Sequence, residues 1–110
     1  VGHTGVLEAA IKAVEVVDQA LDKVISALNA CGGTMLLTAD HGNCELMWDA
    51  ASNSPHTAHT TNPVPIYWIG APSHHQLRDG GLSDLAPSLL ELLGLPVPSE
   101  MTGHSLIKPN

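Results

Sequence analysis

Four side chains of the types that bind divalent cations lie in three separate stretches of this sequence. Asp40 and His41 are adjacent, His59 follows about twenty residues later, and His3 precedes a long helical pattern. Mixed carboxylate and imidazole ligands suit Zn²⁺ or Mn²⁺. The residues alone also allow a plainer interpretation, in which Asp40 caps a turn and the histidines are capping or solvated loop residues.

The position of Asp40 and His41 favours the metal site. Both follow an apolar run at 34–39 that predicts a short strand, and in open α/β sheets ligands bind beyond the carboxyl ends of strands. Adjacent residues can reach one ion there because the chain no longer alternates between faces, and Gly42 allows a close backbone approach.

The sequence leaves the roles of several neighbouring residues undecided. His56 fits either a further ligand or an ordinary polar loop, and Cys44 has no partner at ligand spacing. Glu45 and Asp49 fit either carboxylates that orient a ligand histidine or a solvated face.

The elements that must position these side chains follow from hydrophobic periodicity. Apolar residues at steps of three and four predict two helices, and short apolar runs predict two strands covered on both faces, as in a parallel sheet. The predicted elements are a helix over 4–29 with Thr4 as N-cap and Gly32 and Gly33 at its end, strands over 34–39 and 63–70, and a helix over 84–93 between Ser83 and Gly94. Residues 40–62 predict a loop or a broken short helix, and residues 95–110 an irregular tail.

The amino-acid composition excludes some classes of function. The 110 residues include 44% hydrophobic residues and only 4 Lys and Arg against 11 Asp and Glu. Four cations cannot neutralise a run of phosphates, so a nucleic-acid partner is not expected. No apolar stretch reaches the length of about 20 residues that a bilayer requires, and no leader is visible. Two unpaired cysteines are typical of a reducing cytoplasm.

The order helix, strand, loop, strand, helix is half of an α/β layer. We therefore expect residues 1–110 to be one portion of a larger α/β domain, with the other strands outside the given sequence.

Three motifs together resemble the family of cofactor-independent (2,3-bisphosphoglycerate-independent) phosphoglycerate mutases, within the alkaline phosphatase superfamily. They are H-T-G at 3–5, T-A-D-H-G-N at 38–43 and T-A-H-T-T-N-P-V-P at 57–65. The likeness continues through 84–94 and 101–107, and it covers about the last fifth of the family's chain.

The resemblance implies a partial alkaline-phosphatase-like three-layer sandwich, with a mostly parallel sheet flanked by helices. It also implies a glycolytic isomerase that interconverts 3-phosphoglycerate and 2-phosphoglycerate through a phosphoserine. The implied cofactors are two divalent metal ions, with Mn²⁺ as the first choice and Mg²⁺, Co²⁺ or Zn²⁺ as alternatives. By the same resemblance, His3 and His59 match the ligands of one ion, and Asp40 and His41 match those of the other.

The serine nucleophile, two further Asp ligands and the substrate-binding residues would lie before Val1, so no catalytic residue is expected in this segment, which would be inactive alone. The full-length parent is expected to be a cytoplasmic monomer with phosphoglycerates as partners. Two alternatives stay open: another member of the superfamily, such as a phosphopentomutase or a phosphatase, and a non-catalytic metal-binding fragment.

Overall fold

The computed structural model describes residues 1–108, and Pro109 and Asn110, the end of the predicted tail, lie outside the described residues. The chain divides into two compact units, Val1–Gly70 and Ala71–Asn110. None of the helices within 1–108 combines the length and apolarity of a membrane span.

The first unit begins with helix α1, Leu7–Ala30. Its N-cap is Val6, not Thr4, because Thr4 instead closes the preceding turn by donating from its hydroxyl to the Val1 carbonyl at 2.7 Å. The predicted end is confirmed: Gly32 adopts a φ of 64°, the left-handed conformation that glycine tolerates best. Within α1 only Ala10 of the predicted apolar stripe is buried, while Val17 is 64% exposed.

Both predicted strands are present, as β1, Met35–Thr38, and β4, Ile66–Ile69. They pair antiparallel, with Met35 opposite Ile69 and Thr38 opposite Ile66. The expected parallel arrangement is therefore wrong for this pair, because the intervening chain turns back instead of crossing over through a helix. Both strands are half-buried or exposed within this segment, so it does not itself supply the expected cover on both faces. An antiparallel pair at the edge of a mostly parallel sheet remains compatible with the predicted class.

The segment predicted as a loop contains a small hairpin of β2, Trp48–Asp49, and β3, Ser54–Pro55. Asp49 stabilises its turn by accepting hydrogen bonds from the Ser52 hydroxyl and the Ala51 N–H. The Ser52 hydroxyl, followed by the Ala51 amide, lowers the pKa of Asp49. Asp49 is thus a turn residue.

The second unit contains a 3₁₀ turn, Leu82–Asp84, and helix α2, Leu85–Leu92. The residue before α2 is Asp84, not Ser83, and its carboxylate accepts the N–H groups of Gly81 and His104. These two amides, Gly81 first, lower the pKa of Asp84. Gly94 ends the helix as predicted, with a φ of 68°.

Ser88 anchors the tail of this unit. Its fully buried hydroxyl donates to the Asp84 carbonyl at 2.6 Å and accepts the Leu106 N–H at 2.8 Å. We expect Ser88→Ala to lower the free energy of unfolding by about 1–3 kcal/mol, because a buried N–H loses its acceptor. Urea denaturation measures this, with the exposed Ser99→Ala as control. Equal stability of the two variants would contradict the assignment.

Candidate metal centre

Backbone pairing brings the two histidine-bearing stretches together at the end of β1. Gly42 and Thr60 form an antiparallel bridge, in which the Thr60 N–H donates to the Gly42 carbonyl at 2.9 Å. A side-chain bond from Asn43 Nδ2 to the Ala58 carbonyl, at 3.3 Å, holds the same two stretches. His41 directly precedes Gly42 and His59 directly precedes Thr60, and the two imidazole rings are in contact beside this bridge.

His3 and His59 form the first pair of predicted ligands. Their Nε2 atoms are 2.9 Å apart, although the residues are 56 positions apart in the chain. His3 Nδ1 lies 2.8 Å from the Thr57 carbonyl. A carbonyl only accepts, so His3 Nδ1 is the donor, and His3 Nε2 is the ring nitrogen within hydrogen-bonding distance of His59 Nε2.

Asp40 and His41 form the second pair. The Gly42 carbonyl accepts from His41 Nδ1 at 3.0 Å, so Nε2 is the ring nitrogen that faces Asp40. That Nε2 lies 3.5 Å from Asp40 Oδ1. The Asp40 side chain is 80% exposed.

The two pairs adjoin through stacked rings. The His41 and His59 centroids are 3.6 Å apart with the planes 15° from parallel, and the His3 ring is 4.7 Å from that of His59. Within residues 1–108, however, no set of three or more His, Cys, Asp or Glu side chains is arranged to hold a metal ion. The described residues thus supply paired donors that need further ligands.

The donor chemistry fits divalent cations. Imidazole nitrogens are common ligands of divalent cations, and His3 and His59 bring two of them within hydrogen-bonding distance of each other, at 2.9 Å. Backbone carbonyls fix the tautomers of His3 and His41, as is usual for histidines that bind metals.

The open sequence candidates lie outside this cluster. His56 has a buried Nδ1 without a hydrogen-bond partner in the described part of the chain, and its N–H donates to the Met47 carbonyl. The Cys44 thiol is exposed and donates to Asn43 Oδ1 at 3.5 Å. Neither side chain joins the histidine and carboxylate pairs.

Among the described residues Glu45 forms no hydrogen bond with a histidine, so the first of the two roles considered for it, orienting a ligand histidine directly, is not observed. It is not simply a solvated carboxylate either. It accepts hydrogen bonds from the Asn43 N–H, the Thr60 hydroxyl and the Asn62 amide. The Thr60 hydroxyl is the main cause that lowers the pKa of Glu45 to about 2. The roles of Thr60 and Asn62 were not predicted; in the sequence they are marked only as polar residues within three positions after the predicted ligand His59.

Comparisons with known proteins agree with the motifs. Residues 1–97 match the Metalloenzyme superfamily. The chain is 64% identical to a 2,3-bisphosphoglycerate-independent phosphoglycerate mutase of Ruegeria pomeroyi, over 97% of this chain and 21% of the relative. It is 58% identical to the protein of that name from Agrobacterium fabrum, with the same two coverages. The chain therefore spans about a fifth of the length of these curated relatives.

A solved structure gives the same result. The phosphoglycerate mutase of Leishmania mexicana, crystallised at low cobalt concentration, superposes with a TM-score of 0.82 and 33% identity, over 99% of this chain and 23% of that one. The predicted fold class, part of an alkaline-phosphatase-like α/β sandwich, is confirmed. Because residues 1–97 of its 110 match the family, this chain belongs to the metalloenzyme superfamily.

Proposed function

We propose that residues 1–110 are the C-terminal portion of the metal-binding domain of a 2,3-bisphosphoglycerate-independent phosphoglycerate mutase. Convergence of His3, His59, Asp40 and His41 from three stretches, with the two nearest Nε2 atoms 2.9 Å apart, is the observation that supports this most strongly. The identity to named mutases supports the glycerate substrates over those of related enzymes.

In this proposal each pair contributes to one of two divalent ions, with Mn²⁺ as the first choice. Bound ions would neutralise phosphoryl charge and lower the pKa of a serine hydroxyl elsewhere in the parent. The residues of this segment contribute by placing their donor atoms where the ions would bind. His3 and His41 keep their protons on Nδ1, so both present Nε2, and Asp40 adds negative charge at the end of β1.

The segment alone is proposed to be inactive, because the nucleophile and the substrate-binding cations lie elsewhere in the parent. We further propose that the parent acts as a cytoplasmic monomer in glycolysis. The shortage of cations, 4 Lys and Arg in 110 residues, supports a division of labour in which other parts of the parent bind phosphate.

Metal removal tests the proposal in the full-length protein. We expect a chelator to lower interconversion of 3- and 2-phosphoglycerate at least about 100-fold, since bound ions supply the transition-state charge, and added Mn²⁺ to restore it. Assays without added 2,3-bisphosphoglycerate, and with a pentose phosphate as alternative substrate, complete the experiment. Chelator-resistant turnover, or faster turnover of the pentose phosphate, would refute the assignment.

A further inference from the structure

The Glu45 carboxylate lies between the two ligand-bearing stretches and accepts from both. Its Oε2 accepts the Asn43 N–H at 2.6 Å. Its Oε1 accepts the Thr60 hydroxyl and, at 3.0 Å, the Asn62 side-chain amide. Charge-assisted bonds of this kind are stronger than those between neutral groups. One side chain therefore joins segments that lie 15 and 17 positions apart along the chain.

These donors are close neighbours of the predicted ligands. Asn43 lies two residues after His41, and Thr60 directly follows His59. The rings of His41 and His59 stack at 3.6 Å. The bonds to Glu45 thus hold residues that closely follow each member of the stacked pair.

The backbone beneath the carboxylate is fitted to it. A Cβ on the buried Gly42 would collide with Glu45 Oε1 and with Thr60 Oγ1. The Gly42–Thr60 bridge supplies one connection between the stretches, and the Glu45 carboxylate adds a second across the same point.

We propose that Glu45 is a positioning residue: by binding Asn43, Thr60 and Asn62 it sets the placement of His41 against His59 and so strengthens metal binding. This inference rests on the proposed function for its metal but on the hydrogen bonds above for its geometry. Glu45 is not itself assigned as a ligand, since the hydrogen bonds of its carboxylate are to Asn43, Thr60 and Asn62 and not to a predicted ligand.

The test compares Glu45→Ala and Glu45→Gln in the full-length protein, with Co²⁺ as the probe. Alanine removes all three bonds, and we expect Co²⁺ affinity to fall about 10–100-fold, the usual effect of losing a group that orients metal ligands. Glutamine retains one oxygen but places an NH₂ group against a donor, so its loss should lie between those of wild type and alanine. Titration calorimetry gives the affinity, and the visible Co²⁺ absorption bands report the altered ligand geometry.

Glu91→Gln is the matched control, because it removes an exposed carboxylate that forms no side-chain bond in the described residues. It should keep wild-type affinity and spectrum. A second measurement needs no metal: histidine ring NMR signals of His41 and His59 should shift in Glu45→Ala and not in Glu91→Gln.

The outcomes separate the two proposals. Wild-type affinity, spectrum and ring signals in Glu45→Ala would overturn the role of Glu45 and leave the proposed function intact. If the wild-type protein binds no Co²⁺, the proposed function fails, and with it the metal-binding part of this inference.

Discussion

Replacing His59 with alanine in the full-length protein is expected to lower the bound metal content and to reduce mutase turnover more than about 100-fold. Removing a residue that orients metal ligands typically lowers metal affinity or activity about 10–100-fold. We expect a larger loss here because His59 is itself a predicted ligand and also contacts the second pair. Its Nε2 faces that of His3 at 2.9 Å, and its ring stacks on His41 at 3.6 Å. Elemental analysis gives the metal content, and a coupled assay gives the rate.

His56→Ala is the matched control, since it removes an imidazole from the same loop, three residues earlier, that lies outside the cluster. We expect it to retain its metal and its turnover. Full metal content and rate in His59→Ala would contradict the site. An equal loss in His56→Ala would show that the loop, and not the ligand, is responsible.

The elements near this site were predictable where local patterns decide the structure. Steps of three and four predict α1, and Gly32 ends it because few other residues adopt its left-handed conformation. The predicted N-cap at Thr4 was wrong because a threonine hydroxyl can bond either to the helix that follows or to the turn that precedes it. In the structure it donates to the Val1 carbonyl and closes the preceding turn. The direction of β4 relative to β1 depends on the path of the intervening chain, which carries no periodic signal.

The predicted metal ligands could likewise be identified from the sequence. The residues that hold those ligands in place could not. Asp40 and His41 are adjacent and follow a strand, so the sequence alone places them at its end. The bond between Glu45 and Thr60 joins residues 15 apart through an irregular loop. Nothing in residue type distinguishes Glu45, which forms it, from Asp49, which stabilises a turn.

Gly42→Ala is expected to lower both the stability of the protein and its metal affinity. The added Cβ would meet Glu45 Oε1 and Thr60 Oγ1, and Gly42 is buried, so either the carboxylate or the backbone bridge must move. Overpacking of this kind costs about 1–3 kcal/mol, and displacement of the bridge separates His41 from His59. We expect lower stability in urea denaturation and Co²⁺ binding at least as weak as in Glu45→Ala.

Gly81→Ala is the matched control for the added methyl group, because a Cβ there has only the Ser83 hydroxyl nearby, at 3.9 Å, and its φ of −113° suits any residue. Its stability should stay within about 0.5 kcal/mol of wild type. The double variant Gly42→Ala/Glu45→Ala separates steric conflict from a general weakening of the loop. Residues in contact couple, so Glu45→Ala should cost less metal affinity in the Gly42→Ala background than in wild type. If the two substitutions lower metal affinity by strictly additive amounts, the added methyl group does not act through Glu45.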